Sequence, residues 1–248
     1  MFTPVFRGVT NYLTVLQDKI FVRAVVNTLL FAVGTTILKI AFGLLLALAV
    51  LKVSRLNNVL RTIFYIPCVM SPLIIGVIFT SILADQGLLN NLLESLGLSA
   101  LAVNWLAKYA TAMSSVIMIE GWMWSGFNMF IFIAGLQAIS TDYYESADVD
   151  GVSKFNQFRY ITLPLLVPSF TVTVTLNITG SLKVFDLIYV LTQGGPGFDT
   201  QVMSTYVYRA FGLGLLGESS AASVILAVIV VLISFVLNRY LTRKEVAL

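Results

Sequence analysis

Five long apolar stretches dominate the chain: Ala24 to Leu51, whose one charge is Lys39, then Thr62 to Ala84, Thr111 to Gln137, Ile161 to Phe185 and Ala221 to Leu237. A helix needs about 20 apolar residues to cross a hydrocarbon core of about 30 Å, so each stretch is long enough for one span. The last lies in a charge-free run between Glu218 and Arg239. The fourth carries a competing signal, because Thr171, Thr173, Thr175, Asn177, Thr179 and Ser181 alternate with apolar residues at the strand period of two. An isolated strand would leave its backbone groups unpaired in lipid, and the neighbouring runs are continuous rather than alternating, so a helix is expected there too. On that helix Thr171, Thr175 and Thr179 share a side, as do Asn177 and Ser181. Their hydroxyls and amide either bond back to the helix or a neighbour, or line a solute path; both readings stay open.

The pattern predicts an all-α membrane protein, a polytopic helical bundle of about five transmembrane helices and a single membrane domain over 1–248, with no soluble domain or tandem repeat. Pro67 and Pro72 fall in the second stretch, and Pro164 and Pro168 near the start of the fourth, so kinks are expected at both places. Between Asp85 and Lys108, leucines 88, 89, 92, 93 and 96 recur at helical spacing and predict a short amphipathic helix, for packing or interfacial binding.

Composition agrees: 58% of residues are hydrophobic and 11% charged, with mean hydropathy +0.92, against about 25% charged in soluble domains. Histidine is absent and Cys68 is the one cysteine. Most ligand sets for haem, zinc, copper or iron–sulfur clusters are thereby excluded, and no metal site is expected. A net charge of +3 reports orientation more than any nucleic-acid partner. One set of alternating loops carries Lys52, Arg55, Arg61, Lys154, Arg159, Arg239, Arg243 and Lys244, and the other Arg7, Lys19, Arg23, Lys108 and Arg209. The positive-inside bias puts the loop around Gly151 and the C-terminus in the cytoplasm and the N-terminus outside. Nothing before Ala24 has the apolar core of a signal peptide, so either the chain inserts that way or an upstream span is missing.

The most polar stretch near the membrane is TDYYESADVDGVSKFNQFRYITLPLL, with the loop proper at about 140–160. Thr141 is the expected N-cap of a short helix, with acidic residues in its first turns. Gly151 can take the left-handed conformation that ends it. Phe155, Phe158 and Ile161 then give a second short helix an apolar face. From spacing alone this is either a rigid projecting knob or solvated charge.

The loop resembles the EAA motif of ABC importer permeases: EAA, three residues, Gly, nine residues, Ile, any residue, Leu-Pro. Here Glu145, Ser146 and Ala147 precede Gly151, and Ile161, Leu163 and Pro164 follow at the same spacing, with Ser146 the one departure. The resemblance implies that these residues, with Asp150, dock on an ATPase subunit and transmit its motion: Glu145 by polar contact, Ala147 by permitting close approach, Gly151 by forming the turn. A second segment, FDLIYVLTQGGPG from Phe185 to Gly197, resembles the maltose-type sugar permeases, particularly the MalF-like member, as do NYLTVL, RTIFYIP and the basic tail. Nearly the whole chain is covered. The resemblance implies the type I ABC importer permease (MetI-like) fold and a multi-pass bacterial or archaeal plasma membrane location. It further implies a MalG-like second permease, two copies of an ABC ATPase, an external solute-binding protein, and membrane lipid around the bundle. It implies no cofactor in this chain, ATP and Mg belonging to the ATPase, and a further N-terminal span absent before Met1.

Lys39, Glu120, Lys183 and Asp186 lie within or at the edge of apolar stretches, where ionisable groups default to functional hypotheses. Either Glu120 pairs structurally with Lys39 or Lys183, or Glu120, Trp122, Trp124, Phe127, Asn177, Ser181 and Lys183 line a sugar path, aromatic rings meeting apolar sugar faces beside polar groups that meet hydroxyls. The chain has no GxxxxGK[ST] phosphate loop, so ATP hydrolysis is expected in separate subunits and no catalysis here. The alternative is an ion-coupled secondary transporter with Lys39, Glu120 and Lys183 as its relay. A membrane-embedded enzyme lacks a nucleophile constellation.

Overall fold

The computed structural model describes residues 7–245, with the side chains of 243–245, and therefore of Arg243 and Lys244, outside the description. All regular structure among the described residues is helical. Helix α1 spans Thr10–Gln17, α2 Lys19–Ala49, α3 Arg55–Val69, α4 Pro72–Ile82, α5 Leu88–Ser95, α6 Tyr109–Met123 and α7 Ser125–Ala138. The chain continues through α8 (Thr141–Val149), α9 (Lys154–Gln157), a π turn at Phe158–Thr162, α10 (Leu163–Leu165), α11 (Val167–Ser181), α12 (Asp186–Leu191), α13 (Met203–Gly212) and α14 (Leu216–Glu245). Among these, α2 and α14 are each long and apolar enough to cross a membrane, and there are up to five spans if each of three broken helix pairs counts as one. The fourth stretch is helical despite its alternating threonines.

The breaks have local causes. Ser71 is extended because it precedes Pro72, which opens α4; Pro67 occupies the last turn of α3. The second stretch is therefore two helices rather than the kinked one expected. Pro164 withdraws the N–H that would bond the Tyr160 carbonyl, and the helix widens into the π turn just before it. A bend of 61° follows, before Val167. The third stretch bends by 45° at Trp124 with no proline near. There the Ser125 hydroxyl donates to the Trp122 carbonyl at 2.7 Å, and the Asn128 side-chain amide adds a bond of 2.9 Å to the Trp124 carbonyl, which also accepts the Asn128 backbone N–H at 3.3 Å, so side chains brace the bend. The fourth stretch ends as helix at Ser181 rather than Phe185, with Lys183–Phe185 irregular.

The chain folds as two compact units. One contains the described part of Met1–Val33, Ser71–Met118 and Gly180–Leu232. Its core joins Val15, Phe21 and Ala24 to Met203, Tyr206 and Ala210 of α13 and to Ala221 and Ala222 of α14. Within it α4 packs on α12. The amphipathic α5 is present and turns Leu88 and Leu92 outward. Buried Asn90 staples that connection by donating to the carbonyls of Asp85 (2.9 Å) and Val103 (3.0 Å) while accepting from the Trp105 indole (2.9 Å).

The other unit contains Gly34–Met70, Ile119–Thr179 and the described part of Ile233–Leu248. Its core is built from Ala47, Val50, Met129, Phe132, Ile133, Leu136 and Leu166. Helix α7 lies directly on α3: a Cβ at Gly126 would sit 2.0 Å from the Phe64 carbonyl oxygen, a contact only glycine permits. Arg61 donates to the Val50 carbonyl at 2.7 Å and the Leu51 carbonyl at 2.9 Å, satisfying acceptors at the C-terminal end of α2.

Candidate functional site

The 140–160 loop forms two short helices around a glycine. Ser140, not the expected Thr141, caps α8: its hydroxyl accepts the Asp142 N–H at 3.3 Å. Both residues are good caps, but Ser140 is the one in the extended conformation that aims its oxygen at the helix end. Gly151 has φ +70°; its N–H bonds the Asp148 carbonyl (3.1 Å), and the Val152 N–H reaches back to the Ala147 carbonyl (2.9 Å), closing the turn as a left-handed glycine does. Ser153 caps α9 through the Asn156 N–H. Across the turn, Lys154 pairs with Asp148 at 2.7 Å, and the Gln157 amide donates to the same carboxylate at 2.5 Å and to the Val152 carbonyl at 3.1 Å. The Lys154 hydrogen bond first, then that of Gln157, holds the Asp148 carboxyl below the usual carboxylate range. Tyr144 and Thr162 share a hydroxyl–hydroxyl bond of 2.9 Å, tying α8 to the π turn.

Glu145, Ser146, Asp150 and Gly151 are exposed on this knob, Ile161, Leu163 and Pro164 are half-buried at its base, and Ala147 is buried. The small Ala147 side chain thus permits packing inside the knob itself. Tyr143, Val149, Phe155 and Tyr160 are exposed on it. Of these four the sequence pattern marks only Phe155, because Val149 and the tyrosines belong to no apolar periodicity.

Of the intramembrane residues, Glu120 and Lys39 form an ion pair of 2.9 Å in the second unit, their side chains 9% and 4% exposed. Of the two pairings the sequence leaves open for Glu120, this is the one formed. The Lys39 ammonium also lies 5.8 Å from the centre of the Trp124 ring, which meets Phe127 edge-on at 6.0 Å. Buried Asn177 donates to the Asn128 side-chain Oδ1 at 2.6 Å, and Asn128 in turn braces the Trp124 bend. Glu120, Trp124, Phe127 and Asn177 are thereby linked, while Trp122 is exposed. Ser181, which is buried, and Lys183 and Asp186, which are exposed, belong to the first unit. The threonine hydroxyls largely serve helices: Thr171 bonds the Val167 carbonyl (3.2 Å) and Thr179 bonds Ser234 (3.0 Å).

Sequence reading missed two residues at the centre of polar clusters. One is Asn128; its signal was an amide inside an apolar run. The other is Asn27 in the first unit. It is 1% exposed, donates to the carbonyls of Asp199 (2.6 Å) and Gln201 (2.8 Å), and accepts from the Tyr109 hydroxyl (3.0 Å). Beside it the Thr28 hydroxyl accepts the Met203 N–H at 3.0 Å and Arg23 pairs with Asp199 at 2.6 Å. These bonds hold the segment after the GGPG turn, where Gly194 has φ +83° and Gly197 +55°, against the start of α2. Tyr206 donates to Asp18 at 2.7 Å, and burial followed by that bond raises its phenol pKa well above the ordinary value.

Apolar helices broken at side-chain-braced bends, with a capped knob between the third and fourth, mark a polytopic membrane protein. The model of the family described as binding-protein-dependent transport system inner membrane component matches residues 39–245, and the chain belongs to that family. It is 36% identical over 246 residues to the probable ABC transporter permease protein YurN of Bacillus subtilis (strain 168), covering 97% of this chain and 84% of that protein. It is 37% identical over 227 residues to the trehalose/maltose transport system permease protein MalF of Thermococcus litoralis, covering 91% and 76%. The crystal structure of a bacterial ABC transporter involved in the import of the acidic polysaccharide alginate superposes with a TM-score of 0.86 at 28% identity, over 96% of this chain and 84% of that one. The helical importer-permease fold and the membrane setting follow from this kinship, which does not favour the ion-coupled alternative.

Proposed function

We propose that this chain is one of two membrane subunits of an ATP-driven saccharide importer, paired with a MalG-like permease and driven by two copies of an ABC ATPase. A solute-binding protein delivers the sugar outside; ATP and Mg are held by the ATPase, and this chain carries no cofactor and no catalytic residue of its own. The C-terminus and the knob face the cytoplasm. ATP binding closes the ATPase pair, the knob follows that motion, and the helices anchored at its base change the side on which the path opens. The sugar assignment is supported by similarity to a trehalose/maltose permease and to an alginate importer.

The knob carries this reading. Its helices are fixed to each other by the Asp148, Lys154 and Gln157 bonds, so a push on one moves both, and it offers Glu145 beside exposed Tyr143, Val149 and Phe155. Exposed aromatic and aliphatic side chains ringed by charge mark a protein contact. Gly151→Val tests it. Nothing lies within 4 Å of a Cβ at Gly151, so the substitution acts through backbone strain at φ +70°, which a β-branched residue tolerates poorly. ATP-dependent uptake in proteoliposomes should fall at least about tenfold, by the turn's distortion, with the permease pair still assembled. Unchanged ATPase association and uptake would overturn the assignment, and uptake by this chain alone, driven by an ion gradient, would restore the secondary-transporter reading.

A further inference from the structure

A cleft of about 540 Å³ opens in the first unit between α13 and the start of α14, within the 300–1,000 Å³ usual for small-molecule sites. Phe185, Tyr208 and Phe211 line one side and Ser219, Ser220 and Ser223 the other, and no charged side chain lines it. The rings are set against one another: Phe185 stacks on Tyr189 with centroids 5.2 Å apart and planes 15° off parallel, and Tyr208 meets both edge-on at 5.3 and 5.2 Å. Tyr208 is nonetheless 51% and Phe211 62% exposed, so ring surface remains available to a ligand. On the serine side, Ser219 donates its proton to the Val207 carbonyl (3.0 Å) and Ser223 to the Ser219 carbonyl (2.9 Å). Their remaining capacity is for accepting. With Ser219 and Ser223 left to accept and no charged side chain in the lining, this wall suits a ligand rich in hydroxyls and offers a carboxylate no cation to pair with. The opposite wall suits apolar C–H faces. The cleft joins the end of the fourth stretch, at Phe185, to the first turns of α14, on the side that the loop charges place outside.

We infer that this cleft is an entry subsite for a neutral saccharide, separate from the Glu120 and Asn177 cluster, which selects against acidic glycans as sugar leaves the binding protein. The inference rests on the saccharide-importer reading and deepens it. The complete importer, reconstituted with its partner permease, ATPase and binding protein, is assayed for ATP-dependent uptake of labelled glucose, maltose, trehalose and lactose, with trigalacturonate as the acidic probe. For each sugar the unaltered importer carries, Tyr208→Ala and Phe211→Ala should raise the half-saturating concentration about fivefold or more, with the partner permease and the ATPase still assembled. Tyr208→Phe, which keeps the ring, should behave as the unaltered protein. Neutral-sugar uptake insensitive to both alanine variants overturns the subsite and leaves the importer reading intact. Preferential uptake of trigalacturonate overturns the neutral assignment. Loss of the partner permease in Tyr208→Ala or Phe211→Ala makes the cleft a subunit contact instead, and uptake of none of the five probes sinks the importer reading together with the subsite.

Discussion

The two units differ in how buried polar groups are held between distant parts of the chain. In the first, Asn27, Thr28 and Asn90 bond mainly to backbone: Asn27 to two carbonyls, Thr28 to the Met203 N–H and Asn90 to two carbonyls. In the second, beside the local bonds that Ser125, Asn128 and Thr171 make back to helix carbonyls, buried groups also bond one another across helices, Lys39 with Glu120 and Asn128 with Asn177. A side chain bonded to backbone fixes the path of a loop and has no alternative without moving the chain. A pair of side chains can part when helices shift, provided each finds a substitute partner. The first arrangement suits a fixed scaffold, the second a region able to rearrange.

The largest effect should come from dividing the ion pair. Removing one member of a buried pair leaves a charge uncompensated and costs about 3–5 kcal/mol, whereas replacing both by apolar groups of similar volume is often neutral. Glu120→Ala should therefore lower the thermal midpoint of the detergent-solubilised permease strongly, and Lys39→Met combined with Glu120→Leu should recover most of the loss. Should the recovered double variant transport normally, the pair is packing alone; a stable variant that binds its ATPase but no longer transports makes the pair part of the moving path. A near-neutral Glu120→Ala would mean that the site is wet, and the contrast with the first unit would break there.

Asn27→Leu should cost less, about 1–3 kcal/mol, the range for leaving buried partners unsatisfied. The damage should be local. Protease cleavage within 192–202 should rise while the ATPase still associates, since the knob belongs to the other unit. Global unfolding at that substitution would show the clamp holding far more than the loop.

How much of this could be read beforehand depended on where each partner lies. The apolar stretches, the short helix at Leu88 and the glycine stop at Gly151 follow from local composition, and each is present. Pro67 and Pro72 marked the right place in the second stretch, but the complete break also needed Ser71 extended. The Trp124 bend escaped because its causes, Ser125 and Asn128, act through their side chains on carbonyls, which periodicity does not register. The charges Lys39 and Glu120 were visible as anomalies, but choosing Lys39 over Lys183 as the partner required the helix register. Asn27 was illegible for a plainer reason: its acceptor, the Asp199 carbonyl, lies 172 residues away, and every residue carries a carbonyl.

The smallest effect belongs to the pair that resembles neither interior. Lys154 and Asp148 are 77% and 52% exposed as side chains, so salt should weaken their attraction while leaving the Gln157 bond in place. Because Lys154 and then Gln157 lower the Asp148 pKa in the folded loop, the contribution is present above the ordinary value of 3.8 and is lost as pH falls through the folded value. Between neutral pH and about pH 5 the loop should be indifferent to acid. Carboxyl-carbon NMR of the assembled permease should place the Asp148 titration below the ordinary value of 3.8, with high salt narrowing but not closing the gap. A midpoint at that ordinary value would mean the turn is held by Gly151 and the caps alone, and the two short helices would then be free to move separately, against the rigid transmission that the knob is proposed to provide.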